Sequence, residues 1–334
     1  MLAYCQIVNI YFHRDPLNIT FIFAKCFCIL LCLFTCFSKT VSLNDIQNVH
    51  TPRVINGWPA QLGDAPYQVA FKSLVKYNET HRSRRLYGTF CGAVIVAPKK
   101  LITAAHCVQS KKDIKSQFLK PSGYIGKNKL RGIYAVAGNL KNHDVVSVID
   151  SKTNGQWRLL CNAYYPRRYL FPMHDIAVAM TRKCFYLNEY VAPIPIASTN
   201  VEYAGPCLVS GFGRLSKGYK TSYLILAYMD IMPTSSCNKA HNRNMNLFVC
   251  TDTKVSDVAQ GDSGGPLVCT NTGDPEEGDK GLLVGIVSGH RPYAAMPDAM
   301  RDHGLIYLAC AVMCLDRKKS KKIIIMIREE SSSI

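Results

Sequence analysis

Three stretches of this chain carry residue types that together could break an acyl bond. DVAQGDSGGPLVC (residues 257–269) sets Ser263 between Gly261 and the pair Gly264–Gly265. LITAAHC carries His106, and HDIAVAM carries Asp175 at the head of an apolar run. A serine hydroxyl is unreactive at neutral pH without a base beside it. A histidine can take its proton, and a buried carboxylate can hold the imidazole in the right tautomer and stabilise its charged form. Gly261 lets the backbone turn so that the N–H groups of Gly261 and Ser263 point into one pocket. Such a pocket would stabilise a developing oxyanion, and one donor to it is typically worth about 3 kcal/mol.

Short strands must position these residues. Apolar, β-branched runs of a few residues recur at 68–71, 92–96, 133–136, 145–149, 176–180, 207–209, 223–229, 267–269 and 282–287, with turn residues between them. Twenty-two Gly and sixteen Pro fit many turns, so the pattern is that of an all-β chain of many short strands. The 334 residues are enough for one large domain or two packed ones, and 48% hydrophobic content excludes a disordered chain. No internal repeat is visible. Lys72 to Gly88 reads as a long basic loop with Arg82, Arg84 and Arg85, and Lys111 to Arg131 as a second basic, polar connection.

The net charge of +17 describes a basic surface, solvated or able to bind an anionic polysaccharide through the 82–85 arginines. No zinc-finger spacing or RNP-like run is present, so nucleic acid is not the expected partner. Fifteen cysteines at spacings unlike zinc sites point to disulfides and an oxidising compartment. CFCILLCLFTCF (26–37), preceded by Arg14 and Lys25, has the form of a secretory signal over residues 1–42. The rival is a membrane anchor over 19–37, which Lys25 interrupts. Residues 43–53 form a polar segment ending at Arg53, before Val54-Ile55. Asn78, in N-E-T, is a glycosylation acceptor if the chain is secreted.

TAAHC, DIA and GDSGGP, in the order His, Asp, Ser, resemble trypsin-like serine proteases of the chymotrypsin family. The resemblance covers Val54 to about Gly289. It implies two antiparallel Greek-key β-barrels, about 54–190 and 191–316 of a protease domain at 54–316, with the site in the cleft between them; residues 317–334 read by composition as a charged, apolar tail. His106, Asp175 and Ser263 would be the catalytic residues, and Gly261 and Ser263 the oxyanion hole. PRVING resembles a zymogen activation site, where cutting after Arg53 frees the Val54 amine to pair with Asp262. Asp257 would sit at the base of the primary pocket and select Arg or Lys, and Ser288 would line that pocket and hold substrate backbone. The family pattern suggests bridges Cys91–Cys107, Cys207–Cys269 and Cys237–Cys250, while Cys161 and Cys184 could form an extra one. No metal or organic cofactor is implied.

The sequence departs from the family at the pocket wall. Ala259 stands where most members have a cysteine, and no cysteine lies near its usual partner position at Ala294 or Ala295. The aromatic residue expected after Ser288 is absent, and the terminal helix is not recognisable. These departures motivate the alternative of an inactive protease homologue that acts as a binding protein. GDSGG also fits the nucleophile elbow of α/β-hydrolases, with Asp274 and His290 as formal partners, but no strand–helix alternation precedes Ser263. The expectation is a secreted, extracellular zymogen of a serine endopeptidase, opened at Arg53 by a trypsin-like protease or by itself.

Overall fold

The computed structural model describes residues 57–75, 86–109, 123–145, 155–198, 202–213, 221–252, 256, 258, 261–291 and 305–309. The first strand is β1 (Trp58–Pro59). Eight strands follow: β2 (Gln68–Leu74), β3 (Leu86–Ala97), β4 (Lys100–Thr103), β5 (Tyr124–Ile125), β6 (Tyr134–Ala137), β7 (His143–Val145), β8 (Gln156–Tyr164) and β9 (Ala177–Thr181). The order β2-β6-β8-β9-β4-β3, with β3 pairing back onto β2, closes an antiparallel barrel. β7 adds to β3 and β5 to β8. The later strands are β10 (Pro206–Gly211), β11 (Ile225–Met232), β12 (Phe248–Asp252), β13 (Pro266–Cys269), β14 (Leu282–Arg291) and β15 (Leu305–Ala309). Here the ring β11-β10-β13-β14-β15-β12 closes where β12 returns to β11, and β1 pairs with the outside of β11. The all-β, double-barrel expectation holds.

Both interiors are filled by side chains from alternate strand positions. Val69, Phe71, Val94, Leu101 and Leu160 are buried in the first barrel, and Val209, Ile225, Met229, Leu267 and Leu282 in the second. Each such side chain contributes about 1.5–3 kcal/mol of apolar burial. The first cluster continues through Phe212, Leu226 and Ile286, so the seam between the barrels is itself packed. Two helices are described: α1 (Ala105–Val108), which carries His106, and α2 (Thr234–His241). The disulfides Cys91–Cys107, Cys207–Cys269 and Cys237–Cys250 all form.

The structure corrects three expectations. The span 72–88 is not wholly a loop, because Lys72–Leu74 completes β2 and Leu86–Gly88 opens β3, with Lys72 fully buried. β8 was missed because its alternation is hidden: Gln156 and Arg158 are buried polar residues. The Arg158 Nε donates to Cys184 O at 2.7 Å, and its guanidinium lies 5.5 and 5.4 Å from the Phe185 and Tyr186 rings. Cys161 and Cys184 are free thiols rather than an extra bridge. The Cys161 Sγ lies 3.4 Å from Met180 O, whereas the Cys184 carbonyl is held by Arg158, so the two cysteines engage different partners.

Candidate active site

Asp175 is fully buried just before β9 and accepts three hydrogen bonds. The His106 backbone N–H donates to its Oδ1 at 2.9 Å, the His106 Nδ1 meets its Oδ2 at 2.7 Å, and the Ser288 hydroxyl donates to Oδ2 at 2.6 Å. With Nδ1–H held by that carboxylate, Nε2 is the free, basic edge of the ring. His174, with φ of +56°, and the tight bond from Ile176 N to His174 O turn the chain just before the strand and aim the carboxylate inward. Burial, and then Arg168, push the His174 imidazole below its ordinary range. Of Ser288 the sequence indicated only a place on the pocket wall. Its bond to Asp175 spans 113 positions and left no local signal.

The segment that carries Ser263 lies against the first barrel. Gly92 N donates to Ser263 O at 2.7 Å, and Thr103 Oγ1 donates to Gly92 O at 2.8 Å. Ser263 O is also 3.6 Å from Cys107 Sγ, next to His106. The glycines are steric requirements here. A Cβ on Gly264 (φ +78°) would stand 2.3 Å from Thr103 Oγ1 and 2.4 Å from Gly92 O, and one on Gly92 would stand 2.8 Å from Gly265. Gly261 has φ of +115°, which only glycine adopts freely. Among the described residues, the N–H groups of Gly261 and Ser263 donate to no protein acceptor, and no hydrogen bond joins the Ser263 hydroxyl to His106. Such bonds often tighten only once substrate is bound.

Asp262 is buried, and its Oδ1 accepts from Gly213 N at 2.6 Å. The carboxylate fills the space a side chain would need on Gly211 or Gly213, where a Cβ would come within 1.9 and 2.2 Å of it. Asp274 instead anchors a surface loop through Ser198 and Tyr203. Sequence reasoning also missed Phe171, an exposed ring standing edge-on to the His106 imidazole at 5.6 Å. Arg53, Val54, Asp257, Ala259, Ala294, Ala295 and the arginines 82, 84 and 85 lie outside the described residues, as do Asn78, residues 1–53 and the tail.

A family model described as Trypsin matches residues 54–298. The chain belongs to the trypsin family. Relatives include Serine protease grass of Drosophila melanogaster, 25% identical over 264 residues that span 73% of this chain and 62% of the relative. Trypsin beta of Drosophila erecta is 25% identical over 71% of this chain and 78% of its own length. Kallikrein-1E2 of Equus caballus is 26% identical over 72% and 83%. At the level of the family, these similarities support a serine endopeptidase, a hydrolase.

Proposed function

We propose that the chain is the secreted zymogen of a trypsin-like endopeptidase that cleaves after Arg or Lys, activated by a cut after Arg53. The observation that carries this reading is the buried Asp175 carboxylate bonded to His106 Nδ1 at 2.7 Å, beside a loop that presents Ser263. In this reading His106 Nε2 takes the Ser263 proton as Oγ attacks the substrate carbonyl. Asp175 holds the imidazolium that results, and the N–H groups of Gly261 and Ser263 receive the oxyanion. The imidazolium then protonates the leaving amine. Water attacks the acyl-enzyme by the same route in reverse, releasing the acid and restoring Ser263.

Selectivity is assigned to Asp257, six residues before the nucleophile, whose carboxylate would pair with a substrate guanidinium or ammonium. Activation is assigned to the Val54 amine and Asp262. A buried ammonium is costly without its carboxylate, so the two would be ordered together. The signal-like segment before residue 43 and the disulfides support an extracellular site of action. An anionic polysaccharide could engage the 82–85 arginines alongside this activity.

The test is hydrolysis of chromogenic peptides bearing Arg, Lys, Phe or Ala at the cleaved position, after controlled cleavage at Arg53. Turnover of the Arg and Lys peptides, abolished by Ser263→Ala, is expected. Turnover of Phe or Ala peptides instead would remove Asp257 from the pocket. No turnover with a verified Val54 terminus would refute the enzyme reading.

A further inference from the structure

One buried cation takes no part in the chemistry above. A bulge shifts the register of β2 on β3, from Phe71 opposite Cys91 to Lys72 opposite Thr89. The Lys72 side chain is thereby fully buried. Its Nζ donates to two consecutive carbonyls, Lys141 O at 2.5 Å and Asn142 O at 2.6 Å. The ammonium also lies 5.7 Å from the Phe212 ring centroid and 6.0 Å from that of Trp157. Burial pushes it down to about 8, with Asp144 working in the opposite direction. Natural chains rarely bury a lysine fully, because the ion loses its water.

The two carbonyls belong to a segment that reaches across the seam. The Asn142 Nδ2 donates to Phe212 O at 3.1 Å and to Thr221 O at 2.6 Å, so one amide grips both sides of the span 212–221. Asn142 N donates to Ser222 O at 2.9 Å, and Leu224 N donates to Leu140 O at 2.7 Å. The orientation of the amide is settled by its two carbonyl acceptors, and its Oδ1 is left buried with no hydrogen-bond partner. Next to the gripped Phe212, Gly213 N donates to Asp262 Oδ1 at 2.6 Å, one residue from Ser263.

We propose that Lys72 is a positioning residue whose ammonium holds the Lys141–Asn142 backbone, which clamps the loop after β10 and so sets Gly213 against Asp262 beside the oxyanion hole. This rests on the proposed active site. It goes beyond that reading by placing part of the machinery in a strand of the opposite barrel.

The experiment compares the full chain, cleaved after Arg53, with Lys72→Met and Lys72→Arg. Lys72→Met keeps the apolar stem and removes the charge and its donors. The clamp predicts a kcat lower by roughly 10- to 100-fold with KM nearly unchanged, as for misplacement of a catalytic group from a distance. Hydrogen exchange should rise over 212–224 and stay unchanged in β13. Lys72→Arg should restore most of kcat, because it returns a cation with donors. Wild-type kcat in Lys72→Met would overturn the proposal and leave the lysine a purely structural role. If Lys72→Met does not fold, Asn142→Ala cuts the same clamp while leaving both Lys72 bonds in place. A kcat loss there supports the clamp, and a wild-type kcat there refutes it. If the wild-type chain itself hydrolyses nothing, the active-site reading fails separately and exchange decides: raised exchange over 212–224 in Lys72→Met keeps the clamp, and unchanged exchange removes it.

Discussion

The buried ammonium of Lys72 makes stability depend on pH in an unusual direction. Its ordinary value of 10.5 falls to about 8 in the folded chain because burial strips its water. Between those two pH values the unfolded chain binds the extra proton and the folded chain does not, so the free energy of unfolding rises with pH. The full difference corresponds to about 3 kcal/mol, a cost present at neutral pH and relieved as pH passes from about 8 to about 10.5. About 2 kcal/mol of this should appear between about pH 7 and 9.5. Higher pH is unsuitable. Tyr67 and Tyr169 are buried phenols raised well above 10, so their contribution is lost once unfolded tyrosines ionise. The assay is urea unfolding with the disulfides intact, in a Ser263→Ala background to prevent self-digestion, with and without Lys72→Met. The gap between the two chains should change by about 2 kcal/mol across the window, always in favour of the lysine chain as pH rises. A gap constant to within about 0.5 kcal/mol would refute the reasoning, since it would mean that the ammonium feels no loss of water. Together with the kinetic comparison, this separates a strut kept for function from one kept for stability.

Three other perturbations test the site directly. Asp175→Asn puts an N–H group where Nδ1 needs an acceptor, so kcat should fall by about 10⁴ with KM little changed, measured on the Arg or Lys peptide. Gly264→Ala forces a Cβ into Thr103 Oγ1 and the Gly92 carbonyl at a positive φ. It should cost about 3 kcal/mol or more by urea unfolding. Phe171→Ala removes the ring standing against His106. It should raise KM for peptides about fivefold, the equivalent of one aromatic contact of about 1 kcal/mol, with kcat nearly unchanged.

Much of the fold could be read from local pattern. The apolar runs at 68–71, 176–180, 207–209, 267–269 and 282–287 lie within β2, β9, β10, β13 and β14, or extend one residue before them. Alternation survives wherever one face of a strand is apolar. It fails at β8, whose inward positions hold Gln156 and Arg158, each satisfied by partners some thirty residues away. It fails at Lys72 for the same reason. A charged residue next to a basic stretch reads as solvent-exposed until the bulge and the two carbonyls are known.

The sequence by itself determined the chemistry on offer and the local backbone it requires. TAAHC, DIA and GDSGGP name a base, a carboxylate and a hydroxyl, and the glycines of the last motif record positive φ and close approach, which are properties of single residues. What only the tertiary structure decided is which groups meet. The His106–Asp175 bond joins residues 69 apart, the Ser288–Asp175 bond spans 113, and the path from Lys72 to Asp262 crosses from one barrel to the other. Each of these contacts exists only after two rings of strands have closed and packed along a common seam. A hydrogen bond over such a separation is set by the position of whole strands, and that position depends on the summed packing of both cores rather than on any residue near the bond.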